Sequence, residues 1–131
     1  MVDDLVGKPF RNKGRDVNKG MDCWGLVIEV FRRYGMEVPD FDMDAFSYVD
    51  INELAQKELG TRGWMEVPVP QDKDAPLVVL MRMHPSLVTH AGIYLGRGRI
   101  MHTTKATGVV VSKAQLLRRI IAGYYRYANH N

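Results

Sequence analysis

Cysteine is almost missing from this sequence: the 131 residues hold one, Cys23. An internal disulfide framework is thereby excluded. Long apolar runs are missing as well. No stretch approaches the ~20 apolar residues that cross a bilayer as a helix, so membrane insertion is not expected. The start, MVDDLVGKPF, opens on two acids and has no long apolar region after a basic one. It does not read as a secretory signal, and synthesis in the cytoplasm is the expectation. Charge of one sign is modest, with a net +3 and a pI of about 9.1. Weak attraction to an anionic polymer follows from that balance. Nucleic-acid binding is not expected: the bases Arg32 and Arg33, Arg97 and Arg99, Arg118 and Arg119 are dispersed, and no nucleic-acid motif occurs. Internal repeats, low-complexity tracts and linkers are lacking too. What remains is ordinary for a globular protein, 46% hydrophobic and 25% charged. The chain reads as one domain, residues 1–131, large enough to bury a core.

Residues 7–20, GKPFRNKGRDVNKG, combine three glycines, a proline and several charges, and read as loop. Leu26, Val27, Val30, Phe31 and Tyr34 then recur at helical spacing. This predicts a helix from about Cys23 to Tyr34, with Asp22 as N-cap and Gly35 at its end. DINELAQKELG predicts a second helix, with Asp50 as N-cap, Glu53 in capping-box position and Gly60 as stop. MEVPVPQDKDA is a proline-punctuated connection. Strands follow in PLVVLMRM, VTHAGIYLG, RIMHTTK, TGVVVSK and IIAGYYRYA, with KAQLLRR as a short helix or turn. Helices first and mostly antiparallel strands after is the α+β pattern.

A cysteine in the first turn of a helix sits where the thiolate is favoured, and a nearby imidazole would favour it further. The histidines are His84, His90, His102 and His130. His90 and His102 flank the turn candidate GRGR. A turn centred on Arg97 sets position 90 opposite 104 and 92 opposite 102, so residues 90, 92, 102 and 104 share one face. The two imidazoles become diagonal neighbours, the relation that a base and its orienting partner need. Ala91, Ile93, Leu95 and Met101 would then pack into the core, while Tyr94 would share the His90 face. A buried, inert Cys23 and structural histidines are the competing reading. A zinc site of Cys23, His90 and His102, with water or Asp22 as fourth ligand, is another.

GMDCWGLVIEVFRRYG followed by THAGIYLGRGRIMH resembles the NlpC/P60 family of papain-like cysteine peptidases. The resemblance covers nearly the whole chain. DCWGL and the closing AGYYRY look most like the tail-assembly proteins of tailed bacteriophages within that family. The resemblance implies a papain-like α+β fold with an N-terminal cysteine helix packed on a central antiparallel β-sheet. It implies Cys23 as nucleophile, His90 as general base and then acid, and His102 as the orienting residue, with the Cys23 N–H binding the oxyanion. The implied substrate is a peptidoglycan stem peptide, cut between γ-D-glutamate and a diamino acid. No metal or organic cofactor is implied, and phage tail proteins are the implied partners, with delivery to the envelope in a particle.

Departures from the family pattern concern substrate binding. Phe10 stands where a tyrosine is common, and spacing one residue longer leaves Arg11 able to occupy part of that place. Asp22-Cys23-Trp24-Gly25 replaces the commoner Asp-Cys-Ser-Gly, so Asp22 alone remains of the set that recognises a free peptide amine. Asp22, Trp24, Phe10 and Arg11 are the candidate substrate-binding residues, and intact wall gains over recycled free peptides. His84 is a minor alternative to His102. Two further readings stay open, a non-enzymatic tail or scaffold module with an unused site, and acyl transfer in place of hydrolysis.

Overall fold

The computed structural model describes residues 1–41, 48–59 and 63–128. Helix α1 spans Cys23–Arg33. Its apolar residues fall on one side because Leu26, Val27, Val30 and Phe31 repeat with the helical period, and all four are fully buried. Asp22 is extended and its side chain accepts the Gly25 N–H at 2.8 Å, closing the first turn. Gly35, at φ +83°, ends the helix in the left-handed region that a side chain would resist. Helix α2 spans Tyr48–Leu59. Asp50 lies within it and is not the N-cap expected from sequence. Gly60 and His130 lie outside the described residues.

The remaining chain builds one sheet. Strands β3 (Trp64–Glu66), β4 (Leu77–Met81), β5 (His90–Gly96), β6 (Arg99–Thr104), β7 (Gly108–Lys113) and β8 (Ile121–Tyr127) take the order β3-β8-β4-β5-β6-β7. Every pairing is antiparallel. A one-turn helix α3, Ala114–Leu117, joins β7 to β8. A separate two-stranded ribbon of β1 (Arg15–Asp16) and β2 (Gly20–Met21) precedes α1. The pieces β1, β2 and β3 fall in stretches that read as loop or connection. Two or three residues show no alternation, and β3 exists through its pairing with β8, so their signal is tertiary.

Helix α1 packs on one face of the sheet with Val78, Leu80, Ala91, Ile93, Leu95 and Met101. The opposite face gathers Leu77, Val79, Met81, Tyr94 and Ile100 beneath Leu117, Ile121 and Tyr124. Strand β4 is thus buried on both faces, which is why LVVLM is continuously apolar.

The β5–β6 hairpin sets the register of the site. Its two loop residues, Arg97 and Gly98, have φ of +54° and +66°, the left-handed pair that matches strand twist. Ile93 faces Met101 and Tyr94 faces Ile100, and a bulge then moves the last pair to Gly96 and Arg99. Continued toward the start of β5, this is the alignment expected from a turn centred on Arg97.

Candidate active site

The start of α1 is held by the loop before it. Asp22 is fully buried. One carboxylate oxygen accepts from the Gly25 N–H at 2.8 Å and from the Arg15 guanidinium at 2.7 Å; the other accepts from the Lys13 N–H at 3.1 Å. Burial pushes this carboxyl up, and the Gly25 N–H, Arg15 and the Lys13 N–H pull it back. Arg15 also bonds the Asp40 carboxylate and the Phe41 carbonyl, at 2.9 and 3.1 Å. The loop lies so close that a Cβ at Gly25 would strike the Gly14 carbonyl oxygen. Asp22 is therefore an N-cap inside a closed polar knot.

Cys23 follows directly and is 3% exposed. Its thiol is pushed up to about 12, first by burial and then by the neighbouring Asp22 charge, against the Ala91 and Trp24 backbone N–H groups that favour the thiolate. Cys23 and His90 line the same cavity of about 20 Å³, room for roughly one water. Trp24, Phe41, Ile51, Ala55 and Leu59 form much of the wall, so α2 contributes to covering the sulfur. Among the described residues no hydrogen bond joins the thiol to His90 in this closed arrangement.

His90 opens β5. Its Nε2 lies 3.3 Å from Nδ1 of His102, whose own Nε2 lies 2.9 Å from Ser112 Oγ. The His90 and His102 ring planes meet at 74°. Burial, and then the His102 charge, lower His90 from 6.5 to about 4. Burial also lowers His102. Both imidazoles are thus held neutral near pH 7. Gly92 makes this arrangement possible. A Cβ there would come within 3.1 Å of the His102 Cβ and 2.8 Å of the Met101 carbonyl oxygen.

Cys23, His90 and His102 are brought to one end of the molecule's core, as the diagonal register requires. The other candidates divide. Trp24 is buried, donates from Nε1 to the Pro39 carbonyl at 2.8 Å and packs on Phe41 and Trp64. It is at once a packing residue and a cavity wall. Phe10 is half-buried and pairs with Met21, one residue from Asp22. Arg11 is exposed and lines an open cleft with Lys13 and Lys19. Asp22 has no face toward solvent. His84 accepts the Ser86 N–H at 3.2 Å in its own turn, so His102, and not His84, meets His90. Tyr94 packs on Tyr124 in the second core cluster. Among the described residues no three His, Cys, Asp or Glu side chains converge in the manner of a metal site.

Three participants were not read from sequence. Arg15 neutralises the buried Asp22, a contact that only the folded loop creates. Gly92 carried a signal, since the hairpin register alone puts it opposite His102. Ser112 would emerge from the β6–β7 register, in which Ile100 faces Ser112 and His102 faces Val110, making Ser112 the diagonal neighbour of His102.

Comparison with known proteins agrees with this architecture. The sequence profile of the NlpC/P60 family matches residues 7–121. No curated protein sequence matches the chain. Among solved structures, the NlpC/p60 domain of the peptidoglycan hydrolase SagA superposes with a TM-score of 0.60 at 20% identity, covering 92% of this chain and 88% of that one. A protein similar to lipoprotein of the NLP/P60 family, from Staphylococcus aureus, gives 0.60 at 19% identity, over 98% of this chain and 39% of its own. NlpC2 from Trichomonas vaginalis gives 0.64 at 17% identity, over 96% and 43%. The chain thus spans about two fifths of the length of the last two.

Proposed function

The chain belongs to the NlpC/P60 family, a family of cysteine peptidases and peptidoglycan hydrolases, and from that premise we propose that it is itself a cysteine peptidase, cutting peptidoglycan stem peptides between γ-D-glutamate and a diamino acid. The observation that carries this reading is the 3.3 Å contact between His90 and His102 at the strand end whose cavity Cys23 shares. Core packing has no need of two adjacent buried imidazoles, whereas a base with an orienting partner does.

The chemistry follows from which atoms are engaged. His90 Nε2 is turned to His102, which leaves Nδ1 to take the thiol proton. With both groups neutral at rest, proton transfer accompanies attack: sulfur bonds to the amide carbon as Nδ1 accepts the proton. The Cys23 N–H, at the positive end of α1, stabilises the oxyanion. The C–N bond breaks as His90 protonates the leaving amine. A water, deprotonated by His90, then releases the acyl group from sulfur as a carboxylate. Phe10 and Arg11, beside the helix start, bound the substrate approach, and Trp24 forms the wall next to sulfur. We further propose that the protein serves a phage tail, on the strength of DCWGL and AGYYRY. Its presence in purified particles is the expected result, and its absence there would count against tail service.

A second reading has one observation in its favour. A thiol 3% exposed and raised to about 12 suits an unused site in an assembly module. Digestion of purified peptidoglycan separates the two. The peptidase reading expects new amines on the diamino acid with the wild-type protein and none with Cys23→Ala. Products from neither protein would favour the module, and equal products from both would mean that Cys23 is not the nucleophile.

A further inference from the structure

We propose that Ser112 is a positioning residue, whose hydroxyl oxygen accepts a hydrogen bond from His102 Nε2–H and so sets the tautomers of both histidines for catalysis. The inference rests on the peptidase reading and adds a member to its site. Three residues from adjacent strands stand in line, with His90 Nε2 to His102 Nδ1 at 3.3 Å and His102 Nε2 to Ser112 Oγ at 2.9 Å.

Each neutral imidazole carries one proton, so the line has two possible senses. If Ser112 accepts, His102 bears its proton on Nε2 and offers a lone pair at Nδ1. His90 then donates from Nε2, and its Nδ1 lone pair is free for the thiol proton. If Ser112 donates, His102 bears its proton on Nδ1 and donates to His90 Nε2. His90 must then hold its own proton on Nδ1, where it cannot act as a base toward sulfur. Only the first sense is productive. Ser112 is half-buried at the β7 edge of the sheet, so its own hydroxyl proton can turn to solvent while its oxygen accepts. An acceptor there favours the productive sense; a methyl group would leave His102 Nε2–H unanswered.

The test reads the tautomers directly. Imidazole ¹⁵N spectra at pH 8, where both rings are neutral, are recorded for the wild-type protein, Ser112→Ala and Ser112→Thr. The synthetic peptide N-acetyl-L-alanyl-γ-D-glutamyl-meso-diaminopimelyl-D-alanine, its amine blocked as in intact wall, supplies the kinetics. The expected result is His102 protonated on Nε2 in the wild type, a mixture of tautomers in Ser112→Ala, and recovery in Ser112→Thr. With it, kcat falls about five- to ten-fold in Ser112→Ala with KM unchanged, the worth of roughly one net hydrogen bond. His102 protonated on Nδ1 in the wild type, or unchanged tautomers in Ser112→Ala, would overturn the proposal. Cleavage that persists in Cys23→Ala would instead overturn the peptidase reading, and the ¹⁵N spectra would still decide the role of Ser112.

Discussion

At the scale of single residues, Arg15 and Asp22 carry the strongest electrostatic constraint. Asp22 is fully buried and Arg15 supplies its only opposite charge at contact distance among the described residues, 2.7 Å away. Removing one partner of a buried pair leaves the other charge uncompensated, at a cost of roughly 3 kcal/mol. Arg15→Met is therefore expected to lower the unfolding free energy by about that amount in urea, with a shift in midpoint and little change in slope. A change under ~0.5 kcal/mol would mean that the Gly25 and Lys13 N–H groups alone stabilise the carboxylate.

His90 sets the response to acid. Its folded value is about 4 against an ordinary 6.5, because burial disfavours the imidazolium. Between those values the unfolded chain takes a proton that the folded one refuses, so stability falls as pH drops from about 6.5 to about 4. The loss from this residue is on the order of 3 kcal/mol. Thermal unfolding of His90→Gln is expected to flatten in that window relative to wild type, and parallel curves would contradict the buried, neutral ring. The same displacement bears on catalysis. With His90 as the proposed base, kcat/KM for peptide cleavage is expected to stay flat to well below the ordinary histidine limb.

At the scale of elements, two arguments concern what the strands and helices leave room for. Gly92→Ala adds a Cβ within 2.8 Å of the Met101 carbonyl oxygen, a backbone atom that cannot turn aside. The β5–β6 pair must part, at roughly 1–3 kcal/mol, and His102 moves with it. Activity is expected to fall more than stability, measured as peptide cleavage at a temperature where the variant remains folded. Helix α2, for its part, helps bury the thiol. Iodoacetamide should modify native Cys23 slowly at pH 7. Ile51→Ala, which removes part of the cavity wall, should speed that modification several-fold, as followed by intact mass. Equal rates in the two proteins would mean that α2 does not limit access.

Legibility also divides by element. Helix α1 was readable because its periodic face, Asp22 and Gly35 all mark the same boundaries. The hairpin register was readable from GRGR, since a two-residue left-handed turn leaves little choice of pairing. That register sets His90 diagonally beside His102. Arg15, β1, β2 and β3 were not readable, because each is defined by a partner distant in sequence or by a strand too short to alternate. Asp22 shows the same limit in reverse. Its cap role was visible, while its complete burial, which turns a candidate substrate contact into a structural one, depends on loop packing.

At the scale of the whole molecule, the sheet, the cysteine helix and the histidine hairpin form one arrangement. Helix α1 packs on β5 and β6, so the start of the helix and the start of β5 reach the same end of the core. The fold thereby delivers a thiol from one element and two imidazoles from a single hairpin. No helix among the described residues is long and apolar enough to cross a membrane. Residues 7–20 carry five cations against one acid, and of these Arg15 is already paired with Asp22 and Asp40.

The central claim is that Cys23 attacks the substrate carbonyl, and an acyl-enzyme is its direct consequence. Mixing the protein with the γ-D-glutamyl peptide, quenching in acid within the first turnover and mapping the adduct by mass spectrometry tests it. A thioester carrying the N-acetyl-L-alanyl-γ-D-glutamyl fragment on the peptide that contains Cys23, and none in Cys23→Ala, is the expected result. Cleavage that proceeds at the same rate in Cys23→Ala, with no adduct on the wild-type protein, would contradict the account.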